Sequence, residues 1–321
     1  MSGGLRRALC ALLAAALLLS GLVGCTRRGG RDGDTLQVVC TTFPLYDWTR
    51  NLTRGLSDRI EVTLLCDSGV ELHSYQPTVD DLVAVSECDL FVYVGGVSDA
   101  WVEDALAGAH REERRVLRLM DTVAEDLSAD HGHGDHDHGA DEHLWLSLRF
   151  AKALCEEISV GLIRLAPDLK DHLVGNTGSY LAALDALDGA YAAAAEGADR
   201  EAVVFADRFP FLYLFEDYGI EVFAAFPGCS SETEASFATV LELAGKVDEL
   251  DLFAVCTCEG ATHRVAEQVI AACRREGVEV VSFHSLQSVT KAEREGGVTY
   301  LSLMEQNLVA FRYVLHEGAS R

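Results

Sequence analysis

Apolar residues in this chain gather into short β-branched runs, each followed by a longer stretch of mixed polarity. Runs at 36–40, 60–66 and 90–94, and again at 202–206, 221–225, 252–257 and 278–283, have the length and residue types of strands buried on both faces. Strands that alternate with helices form parallel sheets, so the pattern predicts an α/β protein made of two such blocks. Between them, residues 148–196 hold no strand-like run. Pro167 fits the first turn of a helix, and the Ala/Leu-rich stretch 168–195 would then run for about 40 Å at 1.5 Å per residue. Gly175, Gly178 and Gly189 oppose this helix, each by up to about 1 kcal/mol. It reads either as a stiff strut bridging two lobes or as one arm of a helical hairpin packed on a single lobe. Length favours two lobes, because about 290 residues exceed what one hydrophobic core usually holds.

The first residues specify an address rather than a fold. Arg6 and Arg7 precede an apolar run at 8–19, which is followed by Ser20, Gly21 and Gly24. A spanning helix needs roughly 20 apolar residues, so this shorter run reads as a secretory signal. Leu22-Val23-Gly24-Cys25 resembles the bacterial lipobox, which implies that Cys25 is lipidated. The expected layout is a signal peptide at 1–24, a flexible tether at 25–34, an amino-terminal lobe at 35–166, a linker helix at 167–197 and a carboxy-terminal lobe at 198–321.

Charge and cysteine content narrow the partners. Residues 1–24 carry two arginines and no acids, so the remainder sets 24 basic against 51 acidic side chains, a net charge of −27. Such a chain repels nucleic acid and draws cations. Eight cysteines follow Cys25, an even number that permits disulfides in an exported protein; buried thiols acting as small apolar side chains are the competing reading. The glycine-rich segment 130–139 carries His131, His133, His136 and His138. Imidazoles on a loop that must lose entropy to order are expected to bind zinc or nickel weakly and exchange it quickly, unless the segment is only a solvated linker.

Two stretches concentrate the chemistry. His73, in Gly69-Val70-Glu71-Leu72-His73-Ser74-Tyr75-Gln76-Pro77, follows the second strand, and α/β sheets place ligands at the carboxyl ends of strands. Thr78 and Asp81 read as a capping pair that opens the next helix. His143, in Asp141-Glu142-His143-Leu144-Trp145-Leu146-Ser147, stands beside two acids, either of which can accept an imidazole N–H and orient the ring.

These stretches resemble the G-x-x-x-H-x-Y-x-P and D-P-H-x-W-L motifs of the metal-binding lipoproteins that serve zinc and manganese ABC importers. The resemblance implies two α/β lobes bridged by a long rigid helix, one metal ion in the cleft, and a permease in the cytoplasmic membrane as partner. Leu72 and Glu142 stand where the family has prolines, a change expected to alter stiffness but not ligand chemistry. Arg208 falls where the family has a second-lobe His or Glu, and a guanidinium offers a metal no lone pair. The resemblance places His284 at the other second-lobe position, and 299–308 resembles the family's closing helix. The expected ligands are therefore His73, His143 and His284, with Asp207, Glu259 or His263 as additional candidates. Three imidazoles suit zinc better than manganese. The expected protein is a monomeric, lipid-anchored zinc receptor on the outer face of the cytoplasmic membrane, with a manganese receptor, a zinc-dependent exported hydrolase and an adhesin as rival readings. The chain has no H-E-x-x-H and no G-x-S-x-G, which weighs against the hydrolase.

Overall fold

The β-branched runs fold as strands, and they do so in two sheets built alike. In this computed structural model the described residues are 35–67, 69, 72–108, 114–129, 141–227, 235–260 and 262–316. The expectations placed on 1–34 and on the histidines of 130–139 lie outside them. Strands β1 (Leu36–Cys40), β2 (Ile60–Leu64), β3 (Leu90–Tyr93) and β4 (Arg115–Arg118) form one sheet in the order β2-β1-β3-β4. Strands β5 (Ala202–Phe209), β6 (Glu221–Pro227), β7 (Ala254–Cys258) and β8 (Glu279–Phe283) repeat that order as β6-β5-β7-β8. Every pairing is parallel, with Val38 lying between Val62 and Leu90 in the first sheet. Strand β4 escapes the sequence pattern because Arg-Val-Leu-Arg sets only two apolar residues between charges, which suffices at a sheet edge.

Helices α1 (Phe43–Leu52), α2 (Val79–Glu87), α3 (Trp101–Ala107) and α4 (Ala124–Ala129) belong to the first lobe. Helices α5 (Leu148–Leu165) and α6 (Lys170–Glu196) follow, and α7 (Leu212–Glu216), α8 (Phe237–Glu249), α9 (Arg264–Ala272), α10 (Lys291–Glu295) and α11 (Tyr300–Leu315) complete the second lobe. Helix α6 begins one turn after Pro167, behind a short 3-10 turn. It is both of the alternatives at once: it pairs with α5 as a hairpin, and it also packs on α1 and α11. Near its start Asn176 donates to the Leu52 and Arg54 carbonyls at 3.0 and 2.9 Å, and near its end the Tyr191 hydroxyl donates to the Met304 carbonyl at 2.8 Å. Leu173, Thr177, Tyr180, Leu184, Leu187, Tyr191 and Ala194 form its buried stripe. Gly175, Gly178 and Gly189 face open space, where the missing side chains leave no packing defect.

One core runs beneath both sheets and joins them. Its largest members are Trp48, Trp145, Tyr191 and Tyr300, with a cluster of Phe205, Phe211, Phe215, Phe283 and Phe311 in the second lobe. Cys40, Cys66, Cys155 and Cys256 are buried thiols without a disulfide, and burial pushes Cys40 and Cys66 up to about 12. At these positions cysteine acts as a small apolar side chain.

Candidate metal centre

Each sheet reverses its strand order beside its first strand, and the crevice outside the carboxyl ends of the strands at such a point is where α/β sheets bind ligands. In the first lobe His73 rides on the 3-10 turn Leu72–Ser74, whose Leu72 is buried. The following loop is fixed by the Thr78–Asp81 capping box: the Asp81 N–H donates to the Thr78 hydroxyl at 3.2 Å, and the Thr78 N–H donates to the Asp81 carboxylate at 2.8 Å. A second 3-10 turn, Val97–Asp99, follows β3 and carries Ser98. His143 opens a third, Leu144–Leu146, anchored by the buried Trp145.

These turns bring His73 and His143 together, their ring centroids 5.5 Å apart. A carboxylate backs each ring. Asp141 lies 2.5 Å from His143 Nδ1 and also accepts the His143 backbone N–H at 2.8 Å. His73 Nδ1 lies 3.0 Å from Glu142 Oε1 and 2.6 Å from the Ser98 hydroxyl. That hydroxyl has one proton and directs it at Glu142 Oε1, 2.6 Å away, so it accepts from His73. Burial pushes the Glu142 carboxyl up, but the His73 and Ser98 hydrogen bonds outweigh it and hold the group below the usual carboxylate range. Both rings therefore carry their proton on Nδ1 and place the lone pair on Nε2, the tautomer that metal coordination requires.

The second lobe arranges its candidates differently. Asp207 and Arg208 lie in a bulge of β5, where Asp207 accepts the Arg208 N–H at 2.8 Å and the Cys258 N–H at 3.3 Å. His284 follows β8, and Asn307 clamps its peptide, accepting its N–H at 2.7 Å and donating to its carbonyl at 2.8 Å. The His284 Nδ1 accepts the Leu286 N–H at 2.9 Å. Glu259, at the end of β7, accepts from the Ser285 N–H at 2.8 Å and the Ser285 hydroxyl at 2.6 Å, and lies 3.6 Å from His284 Nδ1. His263 stands at the start of α9, where its carbonyl accepts the Glu267 N–H. Among the described residues no group of three His, Cys, Asp or Glu side chains is gathered closely enough to hold an ion.

Hydrogen bonds tie the crevice floor across the two lobes. Trp145 Nε1 donates to the Ser285 carbonyl at 2.9 Å, the Tyr300 hydroxyl to the Trp145 carbonyl at 2.6 Å, and the Tyr213 hydroxyl to the Asp141 carbonyl at 2.9 Å. The loop that carries His143 is thus fastened to the loop that carries His284.

Comparison with known proteins accords with this arrangement. The profile of ZnuA, described as zinc-uptake complex component A, periplasmic, matches residues 38–313. The chain belongs to the ZnuA family. It is 30% identical to the zinc-binding lipoprotein AdcA of Streptococcus pneumoniae over 94% of this chain, but spans only 60% of that relative's length. It is 28% identical to the high-affinity zinc uptake system protein ZnuA of Bacillus subtilis, covering 94% of this chain and 95% of the relative. Among solved structures, the metal-dependent lipoprotein YcdH of Bacillus subtilis superposes with a TM-score of 0.73 at 27% identity, covering 88% of this chain and 99% of its own. The Zn(II)-bound ZnuA-like domain of Streptococcus pneumoniae AdcA gives a TM-score of 0.71 at 27% identity with the same coverage.

One expectation about this family member needs correcting. In sequence Asp141 and Glu142 are both possible acceptors for the His143 ring; Asp141 serves His143, whereas the buried Glu142 lies against His73 instead. Ser98 and Asn307 went unmarked. The place of Ser98, on a polar turn after a central parallel strand, is the signal that would have found it; Asn307, inside a helix, offers none.

Proposed function

We propose that the chain is an extracytoplasmic carrier that captures one zinc ion between its lobes and delivers it to an ABC-type permease in the cytoplasmic membrane. The observation that carries this reading is the pair of imidazoles 5.5 Å apart, each backed by a carboxylate at its Nδ1. His284 from the second lobe completes a three-imidazole set, with water, Asp207 or Glu259 in the fourth tetrahedral position. His263 stays a further candidate for that fourth position. Imidazole selects zinc over manganese, which favours oxygen donors, and the zinc-binding names of the relatives point the same way. Ligands drawn from two lobes let the permease read occupancy as closure. On this reading Cys25 is the lipid anchor, 131–138 is an auxiliary metal loop, and the carrier acts as a monomer with lobes divided at 167–197.

The deciding experiment is the metal content of the mature protein purified without chelator or histidine tag, followed by competition between zinc and manganese. One tight zinc per chain is expected. A protein that binds no zinc, or that prefers manganese, overturns the reading.

A further inference from the structure

Glu142 lies outside the ligand set, yet it is built into the molecule as tightly as any ligand. Its side chain is only 8% exposed. Every polar contact it makes points at one place: Oε2 accepts the Ser98 N–H at 3.1 Å, Oε1 accepts the Ser98 hydroxyl at 2.6 Å, and Oε1 stands 3.0 Å from His73 Nδ1. The space for it is provided by Gly96, where an added Cβ would overlap Oε2, Cβ and Cδ of Glu142. Three loops distant in sequence, 72–74, 96–99 and 141–143, thus converge on one carboxylate.

We propose that Glu142 is the positioning residue for His73, fixing the ring as its Nδ1–H tautomer and making the first lobe a preset half-site. The zinc consequence rests on the carrier function proposed above. A buried anion behind the ring also raises the basicity of Nε2, as in carboxylate–histidine–zinc arrangements, where loss of the carboxylate typically weakens metal binding by about 10- to 100-fold. Ser98 serves the carboxylate rather than the metal, because its only proton points at Glu142. Gly96 is required because a larger residue would evict the carboxylate.

The test reads the ring itself before any metal is added. In metal-free wild type, nitrogen-15 spectra of the imidazoles should show His73 as a single Nδ1–H tautomer. Glu142→Ala should turn it into a mixture while leaving His143, which Asp141 holds, unchanged. Gly96→Ala keeps the carboxylate in the chain but removes its seat, and should reproduce the His73 change. Zinc affinity, measured by competition with a chelator, should fall by about 10- to 100-fold in Glu142→Ala. Glu142→Gln keeps one acceptor but sets an amide N–H against its neighbouring donors, and should fall between the two. Far-ultraviolet circular dichroism identifies any variant that has not folded, and the proposal is then read from the others. A His73 that keeps its single tautomer in folded Glu142→Ala or Gly96→Ala overturns the proposal. So does a lost tautomer with unchanged zinc affinity. A wild type that binds no zinc overturns the carrier function instead, and the metal-free spectra still decide the role of Glu142 at the ring.

Discussion

The two lobes share one sheet order, yet they present their histidines in opposite states. In the first lobe His73 and His143 give their Nδ1–H to carboxylates and keep an Nε2 lone pair. In the second, His284 accepts the Leu286 N–H on Nδ1, so the neutral ring carries its proton on Nε2. That bond is set by a backbone under strain: Leu286 is buried and has φ of 63°, in the left-handed region that costs a non-glycine residue about 1 kcal/mol or more. The first lobe is thus the preset half of the proposed site, and the second must give up its Leu286 hydrogen bond before its ring can coordinate through Nδ1. On the carrier reading, the first lobe captures and the second closes. Closure must then be small, because Trp145, Tyr213 and Tyr300 already fasten the loops of the two lobes together.

The largest effect should come from the preset side. His73→Ala and His143→Ala each remove a proposed ligand outright, so zinc affinity should drop by more than the ~100-fold that loss of an outer hydrogen-bond partner reaches. Competition against a chromogenic chelator measures it. If either variant lost less affinity than His284→Ala, the assignment of capture to the first lobe would be wrong.

Next in size is a pH effect on the join between the lobes. Asp47, on α1, accepts the Tyr300 N–H at the start of α11 at 3.0 Å and an Asn51 amide N–H at 3.2 Å. Burial pushes its carboxyl from 3.8 up to about 6, against the opposing Tyr300 hydrogen bond. Between about pH 4 and 6 the native state therefore holds more protons than the unfolded one, and this group's contribution to stability falls as pH rises. The change is of the order of 2–3 kcal/mol at about 1.4 kcal/mol per pH unit. Asp47→Asn should abolish that slope, since the amide oxygen still accepts from Tyr300, and should be the more stable protein at pH 8. Urea unfolding of both proteins across pH 4–8 checks it, and parallel curves would refute it.

Trp145→Phe comes third. It removes the donor to the Ser285 carbonyl in a buried setting, which should cost about 1–3 kcal/mol of stability. Zinc affinity should change little, because neither ring is held by that bond. A larger change in affinity than in stability would show that the floor, and not the rings, sets the site.

How much of this was legible depended on how locally each feature is encoded. Strands such as Leu36–Cys40 announce themselves as β-branched runs, and the Thr78–Asp81 cap is complete within four residues, so both could be read directly. The pairing of Asp141 with His143 was within reach because they lie two positions apart. Which ring Glu142 would serve was not, since its partner Ser98 lies 44 residues away and both are brought to His73 by the fold. The thiols remained ambiguous because spacing says nothing of burial. The state of His284 was hidden most deeply, since it turns on a single positive φ at Leu286.

The smallest effect, and the one that most sharpens the comparison, belongs to His284. If the ring coordinates zinc, its gain is offset by the hydrogen bond it gives up, worth about 0.5–1.5 kcal/mol net. His284→Ala should therefore weaken zinc binding by up to about tenfold less than His73→Ala does, since tenfold corresponds to 1.4 kcal/mol. The mechanism is visible without mutation. Nitrogen-15 spectra of the metal-free protein should show His73 and His143 protonated on Nδ1 and His284 on Nε2. Adding one equivalent of zinc should leave the first two tautomers in place and either replace the Leu286 N–H at Nδ1 of His284 or strip its Nε2 proton. An Nδ1–H tautomer for His284 before zinc is added would erase the difference between the lobes. An Nε2–H that persists after zinc binds, with the Leu286 N–H still bonded to Nδ1, would remove His284 from the ligand set and leave Glu259, already beside it and bonded to the same loop, as the second lobe's candidate.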